Sequence, residues 1–303
     1  MKNMNKYENC LLCPRKCGIN RSTGQTGVCG VSSEIKVARA ALHYWEEPCI
    51  SGKRGSGAVF FSGCSLHCVF CQNREISDGK AGKVISKERL SDIFMELADK
   101  GANNINLVTP GQYIPDIVWA VNNAKSRGMK LPIIYNTSGY ENVTELKLLE
   151  GIVDVYLPDF KYLDPEHAKK YSGAEDYPEV AKAALEEMVR QTGNPVFNDA
   201  GIMTKGVIVR HLLLPGCLRD ARRIVKYLYE TYGDQIYMSL MNQYTPLDTL
   251  NREKYPELAK KVTKKAYDVL VDYAIDLGVE QAFIQEGETA KESFIPDFSY
   301  EGV

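Results

Sequence analysis

Residues 57–77 read Gly57-Ala-Val-Phe-Phe-Ser-Gly-Cys64-Ser-Leu-His-Cys68-Val-Phe-Cys71-Gln-Asn-Arg-Glu-Ile-Ser77, and the reading of this stretch decides the fold. Ala58 to Ser62 is a short apolar run stopped by Gly63, the pattern of a buried strand. The strand hands three thiols within eight residues to one loop. Spacing this close suits one face of one cluster. A cubane four-iron cluster takes four ligands, so a loop offering three leaves one iron open, as catalytic metal sites keep a position free for substrate. The competing reading of the same residues is a zinc site completed by His67 or by a distant cysteine.

Working outward from the loop, short β-branched runs alternate with longer amphipathic ones, the rhythm of βα units. Strands are expected near residues 58–62, 104–109, 132–137, 153–159, 206–213 and 236–242, with a further edge strand at 281–285. Helices are expected near 87–100, 114–127, 143–150, 178–192, 219–232 and 255–277, with Ser86 as an N-cap and Gly101 and Gly128 as C-terminal stops. Strands joined in sequence by helices are parallel with right-handed crossovers. Six such units make an α/β fold that curves into an open, partial (β/α)6 barrel, with its chemistry at the C-terminal ends of the strands. Residues 1–50 lack the rhythm and are rich in cysteine, glycine and arginine. They read as a small metal-stapled module, leaving 51–303 for the barrel and an aromatic tail, from Phe294 to Val303, that packs over it.

Among 303 residues, 37 Lys and Arg face 39 Asp and Glu, a formal net charge of −2. That balance argues against polyanion binding as the main task, so no nucleic-acid partner is expected. There is no run of about 18 apolar residues and no apolar leader, which points to a cytoplasmic protein without a membrane span. Nine cysteines against four histidines make thiolate the dominant metal ligand, which favours iron-sulfur or zinc over magnesium or calcium.

The Cys-x3-Cys-x2-Cys spacing, with Phe70 before the third cysteine and the loop placed after the first strand of a βα array, resembles the radical S-adenosylmethionine superfamily. Within it the likeness is nearest to the pyruvate formate-lyase activating enzymes, in particular a poorly characterised branch labelled PflX. Further residues carry it: Val155-Tyr-Leu-Pro-Asp159-Phe-Lys161 is similar to the activating enzymes' Asp-x-Lys motif, and Arg210-His-Leu-Leu-Leu-Pro-Gly to their Arg before Val-Pro-Gly. The resemblance implies that Cys64, Cys68 and Cys71 hold a catalytic 4Fe-4S cluster. Reduced by a low-potential donor such as flavodoxin or ferredoxin, the cluster would cleave S-adenosylmethionine to methionine and a 5′-deoxyadenosyl radical that abstracts a hydrogen atom. It further implies that Phe70, Thr109, Asn136, Asp159, Lys161, Arg210 and Gln243 line the S-adenosylmethionine site. Asp159 and Lys161, two apart on a strand and so on one face, would take the methionine ammonium and carboxylate.

The sequence departs from the family pattern twice. Relatives end their second strand in a Gly-Gly-Glu-like turn, where this chain has Val108-Thr109-Pro110-Gly111, and Pro110 has no backbone donor. After the third strand they show Asp-Thr-Asn-Gly, where this chain has Asn136-Thr137-Ser138-Gly139. Two substrate readings stay open: activation of a partner glycyl radical enzyme, and modification of a small molecule, peptide or RNA. A zinc or iron-sulfur binding module without turnover is the non-enzymatic alternative. Cys10, Cys13, Cys17 and Cys29 form a complete ligand set for a second centre, either zinc or iron-sulfur. Cys49 and Cys217 read as packed thiols, and His211 faces the side of its strand opposite Arg210.

Overall fold

The computed structural model describes residues 6–285 and 296–303. Ten strands form in chain order: β1 (Ile35–His43), β2 (Ser56–Phe61), β3 (Lys83–Ile85), β4 (Ile105–Val108), β5 (Ile133–Thr137), β6 (Val155–Pro158), β7 (Val196–Phe197), β8 (Met203–Leu212), β9 (Tyr237–Met241) and β10 (Ala282–Ile284). The sheet runs β10-β9-β8-β6-β5-β4-β2-β1-β3, with the short β7 paired to β8 outside this path. From β2 to β10 that path is parallel throughout. The path has two ends among the described residues, so the sheet is a partial barrel rather than a closed one. The six expected strands correspond to β2, β4, β5, β6, β8 and β9, and the expected edge strand to β10.

Helices α1 (Pro48–Ser51), α2 (Arg74–Ser77), α3 (Lys87–Asp99), α4 (Ile114–Ser126), α5 (Val143–Leu146), α6 (Pro165–Ser172), α7 (Tyr177–Thr192), α8 (Leu218–Tyr232) and α9 (Lys264–Leu277) fill the connections. The principal core lies where the sheet meets the longer helices, with Ile105, Leu107, Ile133 and Val207 packed against residues such as Ile117, Val121, Leu185 and Ile224. A second, smaller cluster lies inside the barrel: Cys49, Ile50, Ile134, Val155, Leu157, Met203 and Ile208. Parallel strands buried on both faces read as near-continuous apolar runs for this reason.

Two expectations need correction. Residues 1–50 are not wholly outside the barrel sheet, because β1 lies within them and pairs antiparallel with β2 and β3. Its Ala-rich sequence has little strand propensity of its own, but it covers the sheet edge that β2 would otherwise expose. The helix expected over 255–277 splits into a 3-10 turn, Pro256–Ala259, and α9. Lys260 is extended, and the Thr263 side chain accepts from the Ala266 amide as a new N-cap. Val153 precedes β6 and packs in the outer core, apart from Val155 and Leu157, which belong to the inner cluster. Of the aromatic tail, residues 294–295 lie outside the described residues. From Pro296 on it lies against the sheet, with Phe298 edge-on to Phe60 and the Glu301 carbonyl accepting from Ala40.

Candidate functional site

Strand β2 is buried at every position and ends at Phe61, and at Gly63 the chain turns into the three-cysteine loop. The turn is pinned from several sides. The Gly63 amide donates to Ile76 O at 2.7 Å, the Cys64 amide to Cys29 O at 3.2 Å, the Val69 amide to Tyr171 O at 2.9 Å and the Cys71 amide to Cys68 O at 3.0 Å. Leu66 and Phe70 are buried and anchor the loop, Phe70 standing edge-on to Tyr244. His67 is engaged elsewhere, its Nε2 at the Val28 carbonyl and its Nδ1 3.5 Å from Asp78.

The three sulfurs face one cavity of about 590 Å³, within the range of small-molecule sites. Burial raises the Cys64 thiol and pushes the Cys71 thiol up to about 12. Three thiols lining one cavity, two of them raised by burial, fit a cationic metal group, since coordination deprotonates a thiol outright. The Ser172 hydroxyl donates to Cys68 Sγ at 3.0 Å, the kind of outer contact that orients a ligand.

Phe70, Thr109, Asn136, Asp159, Lys161, Arg210 and Gln243 all line the same cavity. Asp159 follows β6 and bridges in register to Arg210 of β8. Arg210 spends its guanidinium on three partners: Nε on Asp159 Oδ1 at 3.0 Å, Nη1 on Glu46 Oε2 at 3.1 Å and Nη2 on Asn136 Oδ1 at 2.6 Å. Lys161 Nζ donates to Asp159 Oδ2 at 2.6 Å. Asp159 and Lys161 therefore pair with one another instead of standing apart as two separate receptors. Burial alone would raise the Asp159 carboxyl, but Lys161 and Arg210 together hold it below its ordinary value. Burial would likewise lower Lys161, and Asp159 more than reverses that, so the ammonium stays charged beside Cys68.

Thr109 adopts φ 56°, a left-handed conformation rare for a β-branched residue, and its carbonyl accepts from Gln112 Nε2 at 2.8 Å. Gln243 is tied on both sides: Gln72 Nε2 donates to its carbonyl at 3.3 Å, and its Oε1 accepts from Gln285 at 3.0 Å. His211 points away from Arg210 and is buried, with Nδ1 2.8 Å from the Phe160 carbonyl. Cys49 and Cys217 are buried in the two cores.

Sequence reasoning missed Glu46 and Glu47. They lie in the turn between β1 and α1 and line the cavity from below. Glu46 accepts from Arg210, from Asn106 Nδ2 at 3.0 Å and from Asn136 Nδ2 at 3.4 Å. The available signal was two adjacent carboxylates before a proline and an apolar pair, Cys49-Ile50, which is too short to carry a period.

Cys10, Cys13, Cys17 and Cys29 surround a separate small cavity that shares Thr109, Thr137 and Ser138 with the large one as common walls. Among the described residues, no three His, Cys, Asp or Glu stand in a single-ion arrangement. Arg21 is 1% exposed beside these thiols and donates to Gln112 O at 2.8 Å and Val31 O at 3.2 Å. Its guanidinium lies between the rings of Tyr7 and Tyr113, and Nη1 is 3.7 Å from Cys10 Sγ.

The Radical SAM superfamily model matches residues 58–216, more than half of the chain, and the chain belongs to that superfamily. Membership brings with it an iron-sulfur cluster and cleavage of S-adenosylmethionine by a radical route. An uncharacterised protein of Methanocaldococcus jannaschii, MJ0674, is 28% identical over 284 residues, covering 90% of this chain and 77% of that protein. Streptococcus suis SuiB, solved bound to S-adenosylmethionine, has a TM-score of 0.50 at 14% identity, covering 76% of this chain and 50% of SuiB. The hydrogenase maturase HydG of Carboxydothermus hydrogenoformans has a TM-score of 0.45 at 15% identity, covering 75% of this chain and 58% of HydG. The chain thus spans about half the length of SuiB, and that likeness is one of fold. No helix among the described residues is long and apolar enough to cross a membrane.

Proposed function

We propose that the chain is a radical S-adenosylmethionine enzyme of the activating type, with Cys64, Cys68 and Cys71 as the ligands of its catalytic cluster. The observation that carries this reading is the convergence of the three thiols with Asp159, Lys161, Arg210 and Asn136 on one cavity. When bound, the cluster supplies the single electron that breaks the carbon-sulfur bond of S-adenosylmethionine, and that electron comes from a low-potential donor such as flavodoxin or ferredoxin. The residues of the chain hold and orient. Lys161, kept charged next to Cys68, offers a donor to the methionine carboxylate. Asp159, fixed on both sides, sets the position of Lys161 and Arg210. Thr109 and Asn136 present polar atoms from the ends of β4 and β5, and Gln243 does so beyond β9. Phe70, Leu66 and Tyr244 form an apolar wall that excludes water from a reactive radical.

A glycyl radical enzyme as substrate is supported by the likeness of the Asp159-x-Lys161 and Arg210 segments to activating enzymes. It is also supported by Trp45, which lines the cavity yet is 57% exposed, so that the cavity reaches the surface where a partner's loop can enter. We also infer a second metal centre on Cys10, Cys13, Cys17 and Cys29. The support is Arg21, a buried cation with no carboxylate ion pair among the described residues, whose nearest anions would be metal-bound thiolates.

Anaerobic, iron-loaded protein given dithionite and S-adenosylmethionine should form 5′-deoxyadenosine and methionine, and Cys68→Ala should form neither. A fully loaded wild-type chain that forms none overturns the assignment. Adding a glycyl radical enzyme should place a radical on that partner. If 5′-deoxyadenosine forms with no partner radical, the substrate is a small molecule, peptide or RNA instead. Elemental analysis should find about eight irons per chain, or about four irons and one zinc, if the second centre exists.

A further inference from the structure

After β1 the chain runs down the inside of β4. Glu46 sits at Asn106, the Ile50 carbonyl accepts from Asn104 Nδ2 at 2.8 Å and the Ser51 carbonyl from Asn103 Nδ2 at 2.7 Å. Cys49 and Ile50 belong to the inner apolar cluster and plug the barrel, while Glu46, Glu47 and Pro48 above them line the cavity as its floor. Two carboxylates lie on that floor, and they differ. Both oxygens of Glu46 have donors. Glu47 is 8% exposed, and its Oε2 is buried with no hydrogen-bond partner, although the residue lines the cavity. Leaving a buried carboxyl oxygen without a donor is costly, and a site that does so is suited to a ligand that brings one.

Charge selects the kind of donor. The side chains facing the cavity include three carboxylates, Asp159, Glu46 and Glu47, against two cations, Lys161 and Arg210. Arg210 is spent on Asp159, Glu46 and Asn136, and Lys161 on Asp159. His43 also lines the cavity, but burial lowers its basicity, so it adds no cation. Glu47 is the carboxyl left over: burial raises it above the ordinary carboxylate range, with Arg210 and a Ser239 hydrogen bond opposing this, and its Oε2 has no donor, so a ligand cation at that oxygen would favour the charged form.

We propose that Glu47 is the substrate-recognition residue of the cavity and receives a cationic nitrogen, an alkylammonium carried by the substrate on a small molecule or on a lysine of an inserted peptide. This inference rests on the proposed radical S-adenosylmethionine reading of the cavity. It adds a substrate class that neither the family nor the cluster dictates.

Thermal unfolding of the anaerobic, iron-loaded chain, with and without S-adenosylmethionine, tests it. The probes are 1,4-diaminobutane, the matching neutral 1,4-butanediol, and a glycine-containing pentapeptide with either lysine or norleucine. At saturation the diamine or the lysine peptide should raise Tm by about 2–5 °C, while the diol and the norleucine peptide do not. Whichever of the two cations acts identifies the source of the ammonium. Glu47→Gln should abolish the rise, and Glu47→Asp, which keeps the charge, should retain part of it. Equal shifts with diamine and diol, an undiminished shift in Glu47→Gln, or no shift with either cation would overturn the proposal. So would a loss of S-adenosylmethionine binding confined to Glu47→Gln, which would put Glu47 in the cosubstrate's place. The shift with S-adenosylmethionine alone, read on wild type, tests the cofactor reading separately.

Discussion

Gly63, which opens the cluster loop, has no room for a side chain. Its φ is 93°, and a Cβ would lie 2.8 Å from the Cys29 carbonyl oxygen and 2.8 Å from Val31 Cγ2. Gly63→Ala should cost about 1–2 kcal/mol from the backbone conformation alone and more from the clash, seen as a lower urea midpoint and reduced iron retention. A wild-type midpoint would mean that Cys29 does not abut the loop. Arg210 is the residue on which the cavity's acids converge, and Arg210→Met leaves Glu46 and Asp159 without their guanidinium. Removing one partner of a buried charge network costs roughly 3 kcal/mol, so the urea midpoint should fall, and S-adenosylmethionine affinity should fall with it. A variant with both unchanged would show the network to be ornamental.

Among the elements, α7 carries an ion pair with a readable pH signature. Arg190 Nε and Nη2 donate to Glu187 at 2.8 and 2.9 Å, and Nη1 reaches Glu150 at 3.1 Å. The Arg190 hydrogen bonds hold the Glu187 carboxyl down at about 2. A lowered carboxyl stabilises the fold above its ordinary value near 4.5, and that contribution fades as pH falls toward 2. Arg190→Ala should therefore lower the urea midpoint at pH 7, and the difference from wild type should shrink toward zero as pH falls through 2, measured by urea melts across that range. A pH-independent difference would assign the effect to lost packing.

Elements with a strong period were legible beforehand. Helix α3 begins after Ser86, whose side chain accepts from the Arg89 amide, and α4 and α8 lie within a residue of their expected limits. What escaped were elements specified by tertiary contact. Strand β1 is held by β2 and β3, and α1 and α2 are four residues each. No local signal marks the turn that brings Glu46 and Glu47 under the cavity. The cysteine loop was legible because its chemistry is local, and the cavity was not because its walls are assembled from several strands and a plug.

At the scale of the whole molecule, the N-terminal segment and the barrel meet at the cluster loop. The Arg15 Nε donates to Ser65 O at 2.8 Å, Cys29 O accepts from Cys64, and Arg21 lies among the thiols of the other cavity. Arg21→Met should weaken metal retention at Cys10, Cys13, Cys17 and Cys29 while leaving about four irons at the barrel loop, by metal analysis of the purified chain. Metal kept in full by that variant would show that the guanidinium is not a counter-charge to the centre.

The account as a whole stands on the cluster at Cys64, Cys68 and Cys71 having one iron that no side chain of the protein occupies. Electron paramagnetic resonance of the dithionite-reduced Cys10→Ala/Cys13→Ala variant, which isolates that cluster, reads this directly when S-adenosylmethionine is added. We predict a four-iron signal whose shape changes on addition. A spectrum indifferent to S-adenosylmethionine, or zinc in place of iron at those three cysteines, would contradict the account.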